Sequence, residues 1–93
     1  MNAYAVAERL KDRFPGIQGI EARDEETIHL GNAAEGGTVD ELPAADYFGL
    51  KHEGGPWINP RLREAVKRYG YFIEWHDPGT LTAYGSRGYS KDG

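Results

Sequence analysis

The stretch from Asn59 to Tyr84 constrains this chain most, because within it the apolar pattern changes once, from helical spacing to strand spacing. Asn59 is suited to cap a helix, since its side-chain oxygen can take an otherwise unpaired amide of the first turn. Pro60 follows where a missing N–H costs nothing. Leu62, Ala65, Val66 and Tyr69 recur at i, i+3, i+4 and i+7 as one apolar stripe, and Gly70 stands where a left-handed residue closes a last turn. Tyr71, Ile73 and Trp75 then alternate with Phe72, Glu74 and His76, Asp77-Pro78-Gly79-Thr80 supplies turn residues, and Leu81 to Tyr84 returns. The spacing predicts a helix followed by a β-hairpin.

The same order is written earlier in the chain. Asn2 can cap a helix whose stripe is Ala3, Val6, Ala7, Leu10 and Phe14, ended by Pro15-Gly16. Ile17 to Arg23 reads as a strand with an irregularity at Gly19, Asp24-Glu25-Glu26 as a turn, and Thr27 to Leu30 as the returning strand. A shift of 53 residues places Ile20 on Ile73, Glu21 on Glu74, Asp24 on Asp77 and Thr27 on Thr80. A lone hairpin is too small to be stable in water, so two αββ units should merge. The expected fold class is α+β, with a four-stranded antiparallel sheet and two helices on one face; αββαββ is a circular permutation of the ferredoxin-like βαββαβ sandwich. The expected organisation is one αββ-insertion-αββ domain over residues 1–85, with the insertion at 31–58, and a flexible tail at 86–93.

The insertion is punctuated by Gly36-Gly37, Gly54-Gly55, Pro43 and Pro56 around an apolar islet of Val39, Leu42, Ala45, Tyr47, Phe48 and Leu50. This pattern predicts a short helical turn near Val39 to Leu42, Tyr47 and Phe48 as anchors to the core, and Trp57 as a staple at the start of the second helix.

Few chemistries survive inspection. The chain has no cysteine, which excludes disulfides and thiolate metal sites. It has no apolar run near the roughly 20 residues of a membrane helix, and Met1 to Leu10 does not read as an export leader, so a soluble cytoplasmic protein is expected. His29, His52 and His76 lack the helical spacing that presents two ligands to one ion, so no metal or cofactor is expected. Ser86 and Ser90 lie in the tail, without a scaffold for an oxyanion hole, and no glycine loop has the strand-to-helix context of a phosphate cradle. Glu74, His76 and Asp77 are the nearest thing to an acid/base cluster, but a polar strand face followed by a turn aspartate explains them. A non-enzymatic chain is expected.

Charge offers two binding readings. Between Glu21 and Glu53 nine carboxylates face two cations, a local −7 against +3 for the remainder. In the first reading Glu25, Glu26, Glu35, Asp40, Glu41, Asp46 and Glu53 engage a basic surface of a partner protein. Spaced carboxylates can compete with phosphates for Lys/Arg clusters. A small acidic inhibitor of the phage or mobile-element kind, of anti-CRISPR or anti-nuclease type, fits this profile. The alternative is a nucleic-acid or nucleotide binder using Arg61, Arg63, Lys67 and Arg68 on the second helix with aromatics on the exposed sheet face. Net charge of −4 weighs against direct nucleic-acid binding. Phe72 and Tyr84, placed by alternation on the face away from the helices, suggest a homodimer or heteromeric contact there.

Overall fold

In a computed structural model, which describes residues 2–49 and 55–85, each half of the chain forms its helix and hairpin. Helix α1 (Ala3–Arg13) starts where Asn2 Oδ1 accepts the Ala5 amide at 3.1 Å, and it buries Ala3, Val6, Ala7 and Leu10. Strands β1 (Ile20–Asp24) and β2 (Thr27–Leu30) follow as an antiparallel pair. Four two-residue strands occupy the insertion: β3 (Thr38–Val39), β4 (Leu42–Pro43), β5 (Ala45–Asp46) and β6 (Trp57–Ile58). Helix α2 (Pro60–Arg68) buries Leu62, Ala65 and Val66, and after Gly70 at φ +85° come β7 (Tyr71–Asp77) and β8 (Thr80–Gly85).

The two hairpins join through their second strands into one antiparallel sheet of order β1-β2-β8-β7. Moving the first strand of a ferredoxin-like unit to its end produces this order. Ile20, Ile28, Leu30, Tyr71, Leu81 and Ala83 point to the side where both helical stripes enter one hydrophobic cluster. Leu10, Ile20, Ile28, Leu30, Leu62 and Leu81 are fully buried there, each contributing about 1.5–3 kcal/mol of transfer free energy. The opposite face carries Glu21, Thr27, His29, Phe72, Glu74 and Tyr84.

The internal repeat holds at atomic detail. Both hairpins carry a register shift at the equivalent place, between Ala22 and Asp24 in one and between Trp75 and Asp77 in the other. Asp24 Oδ1 accepts the Glu26 amide at 2.8 Å, and Asp77 Oδ1 accepts the Gly79 amide at 2.9 Å, the same side-chain turn in each half. The 53-residue shift also carries His29 onto Thr82, its own cross-strand partner. A pseudo-twofold axis therefore passes through the His29–Thr82 pair at the centre of the sheet.

The insertion corrects two expectations. Val39 to Leu42 is not a helical turn but the tight end of the β3–β4 hairpin, with Asp40 at φ 55° and Glu41 at φ 69°. Two consecutive left-handed residues match the twist of a two-residue hairpin, usually signalled by Asn-Gly, and Asp-Glu hides that signal. Phe48 is 68% exposed and anchors nothing in the core, whereas Tyr47 is half-buried edge-on to Trp75, ring centres 5.0 Å apart. At the start of α2 the buried residue is Ile58, with Trp57 only half-buried. The Leu50 component of the islet and the tail at 86–93 lie outside the described residues.

Left-handed geometry strains L-residues by roughly 1–2 kcal/mol each. Glu41→Gly is accordingly expected to stabilise the fold by about 1 kcal/mol, read as a thermal midpoint raised by about 4–8 °C. An unchanged or lowered midpoint would show that the Glu41 side chain contributes as much as its backbone costs.

Two tight approaches fix the insertion to the rest. Gly31, at φ +58°, leaves β2 so close to the α1–β1 connection that a Cβ there would collide with the Gln18 carbonyl. The Gln18 amide donates to Asn32 Oδ1 at 2.8 Å, and the Asn32 amide donates back to the Gln18 carbonyl at 2.9 Å. Asn59 holds the other end. Besides capping α2 through Arg61 N at 2.9 Å, its side-chain amide donates to the carbonyls of Val39 at 3.4 Å and Pro43 at 3.2 Å, and its backbone N–H donates to Ala44 O at 2.9 Å.

Candidate functional site

The seven carboxylates singled out in the sequence do not form one face. Glu25 and Glu26 occupy the β1–β2 turn, where the Glu25 carbonyl receives the Ala3 amide at the start of α1. Asp40 and Glu41 stand with Arg13 and Phe14 at the far end of the same helix, about 16 Å away along its 11 residues. Glu35 lies over the β7–β8 turn, its carboxylate where a Cβ on Gly79 would be. Asp46 is 9% exposed, a buried member of β5 rather than a surface charge. Glu53 lies outside the described residues.

The pair that does come together is Glu35 and Asp46, on the insertion. Glu35 and Asp46 line a groove of ≈ 320 Å³ whose other walls include Pro43, Tyr47, Phe48 and Pro78. The Tyr47 and Phe48 rings meet edge to face at 5.2 Å. Of the three large apolar side chains exposed among the described residues, Tyr4, Leu42 and Phe48, two belong to this segment. Leu42 directly follows the acidic turn.

The cations of the rival reading, Arg61, Arg63, Lys67 and Arg68, are all exposed on α2. Since α2 packs on the inner face of the sheet, these cations and the Phe72–Tyr84 pair of the outer face occupy opposite sides of the molecule. Arg61 Nε also meets Asp40 Oδ2 at 2.9 Å, so one member of each rival set is spent on the other. With side chains 70% and 57% exposed, this pair contributes at most about 1 kcal/mol.

Glu74, His76 and Asp77 are all exposed. Asp77 is committed to its turn: the Thr80 hydroxyl first, then the Gly79 amide and the nearby His76, hold its carboxyl below the usual range. That lowering favours the folded state above the ordinary aspartate pKa, and the contribution fades as acid protonates the group. No group of three or more potential metal ligands occurs among the described residues. None of their helices is long and apolar enough to cross a membrane.

A feature not anticipated from the sequence lies on the outer face, astride the pseudo-twofold axis. A shallow hollow of ≈ 410 Å³ is lined by the equivalent pairs Arg23 and His76, Thr27 and Thr80, and His29 and Thr82, with Tyr84 beside them. Among the described residues no carboxylate lines it. Phe72 and Tyr84 pair next to it at 5.7 Å with rings tilted 33°. A shift of 53 residues sets Arg23 over His76 and His29 over Thr82, and strand alternation sets His29 and Thr82 on the outer face. Combined, those two signals could have located it.

Compared with known proteins, the chain matches no family model, no curated protein and no solved structure.

Proposed function

We propose that this is a non-enzymatic protein-binding domain whose insertion docks on a basic surface of a partner. The observation that carries the reading is the strained Asp40–Glu41 turn, which holds two carboxylates at positive φ beside exposed Leu42. Strain kept at an exposed tip is a mark of function, because selection for stability alone would replace it. The apolar–aromatic groove with Glu35 and Phe48 at its walls adds the desolvated centre that an interface needs. In its most specific form the domain is a phage or mobile-element inhibitor, of anti-CRISPR or anti-nuclease type, occupying the Lys/Arg surface where its target holds nucleic acid.

Capture from extract of a host cell, with the bound protein identified and its affinity then measured, tests the reading. Glu35→Lys with Glu41→Lys is expected to weaken that binding on the order of tenfold or more, and Phe48→Ala to weaken it at unchanged thermal stability. Affinity should fall steeply with salt, since exposed charges are screened beyond about 10 Å at 0.1 M ionic strength. Salt-independent binding that survives both variants and is lost on reversing Arg63, Lys67 and Arg68 would move the site to α2.

A further inference from the structure

We infer that the outer-face hollow is a binding site for a nucleotide phosphate ester, with the phosphate among Arg23, His29 and His76 and the base against the Phe72–Tyr84 pair. The hollow is of ligand size at ≈ 410 Å³. Its lining runs against the chain's composition. In a protein with 15 acidic and 11 basic residues, the hollow collects from all four strands an arginine, two of the three histidines, threonine hydroxyls and a tyrosine, with no carboxylate among the described lining residues. Such a set of N–H and O–H donors converges on an acceptor-rich anion.

The hydrogen bonds support the assignment. His29 Nδ1 accepts the Gly31 amide at 3.1 Å, so the neutral ring carries its proton on Nε2 and offers a donor there. The Thr80 hydroxyl is turned to Asp77, which leaves Thr27, Thr82 and Tyr84 as the hydroxyl contributors. Beside the donors, an aromatic pair on an open sheet offers a π-face to a base, the contact single-strand binders use.

The carboxylates nearest this face set its selectivity. Glu21 pairs with His29 and Glu74 with Thr82, so one acid flanks the donors on each edge strand. Asp77 and Asp24 are held in their own turns. Two flanking acids tolerate one phosphate group, with one or two negative charges, and oppose a polyphosphate. The site therefore prefers a monophosphate or a phosphodiester, free or in a single strand, to a nucleoside triphosphate. It lies on the face opposite α2 and is independent of the proposed protein-binding insertion.

Titration of the full chain by calorimetry and by NMR of the histidine ring protons tests this, using inorganic phosphate, adenosine monophosphate, adenosine triphosphate, a single-stranded RNA and a duplex DNA as probes. The monophosphate and the single strand are expected to bind and to shift His29 and His76 together, with the duplex weaker because its bases are already stacked. A tighter single strand identifies the polymer as the source of the phosphate, and a tighter mononucleotide identifies the free ligand. Arg23→Ala and His76→Ala, both at exposed positions, should each weaken binding by about tenfold. Glu74→Gln should tighten it, and the Arg63, Lys67 and Arg68 reversal should leave it unchanged. The inference is overturned if no probe binds at millimolar concentration, if inorganic phosphate binds as tightly as the nucleotide, or if the helix reversal rather than Arg23→Ala removes binding. Self-association that covers this face and excludes every probe overturns it as well.

Discussion

Asn59→Ala is expected to destabilise the fold by about 1.5–5 kcal/mol, more than any surface change in the chain. The figure joins two losses: about 0.5–2 kcal/mol for the helix cap, and about 1–3 kcal/mol for carbonyls left without their donor. Asn59 is 3% exposed, and its one side chain caps α2 while binding both strands of the β3–β4 hairpin. Helix and insertion should therefore loosen together. Denaturant melts give the total, and amide exchange gives its distribution, with protection lost both at the first turn of α2 and at Ala44. Asn59→Asp separates the parts, since it keeps the capping oxygen and sets a carboxylate against two carbonyls. If the aspartate variant is as stable as the parent chain, the bridge to the hairpin contributes nothing.

The second large effect concerns a residue grouped by sequence with the surface acids. Asp46→Lys is expected to cost about 3–5 kcal/mol, because it buries a long cation at a position only 9% exposed. Glu41→Lys, at an exposed position in the same segment, should shift stability within about 0.5 kcal/mol. Thermal melts of the two proteins settle the contrast. A stable Asp46→Lys variant would mean that the insertion rearranges without cost and that Asp46 can face a partner after all. With the expected result, loss of partner binding in an Asp46 variant reports unfolding, and among the described residues Glu35, Asp40 and Glu41 remain as informative acids of the insertion.

How far the fold was legible depended on the range of the forces involved. Asn2, Asn59, Pro60 and Gly70 act on their own turns, so capping chemistry located both helices from a few residues of sequence. The turn aspartates, Asp24 and Asp77, likewise act two residues ahead and betrayed both hairpins. The insertion was misread because its order comes from distant partners. The β3–β4 hairpin carries no glycine or asparagine at its turn, and it is held by Asn59, 20 residues from Val39. Phe48 was misassigned for a related reason: an aromatic beside an element boundary is usually buried, and only the fold reveals a groove that leaves it outside. Among the site residues, identity and charge were visible, but the partition of carboxylates between two ends of α1, and the pairing of Asp40 with Arg61, needed coordinates.

The joining of the two hairpins through β2 and β8 has a kinetic side. Each αββ unit is assembled from neighbours in sequence, whereas the ladder that unites them pairs His29 with Thr82, 53 residues apart. Local hairpins should form early and the central ladder late, because closing a long loop must precede any gain from its contacts. On the ribosome, β2 is complete long before β8 exists, and its free edge, carrying Ile28 and Leu30, stays open to any other strand in the meantime. Slow synthesis or crowding of nascent chains thus favours pairing between the first halves of two molecules, in which one β2 takes the place that β8 fills in the finished chain.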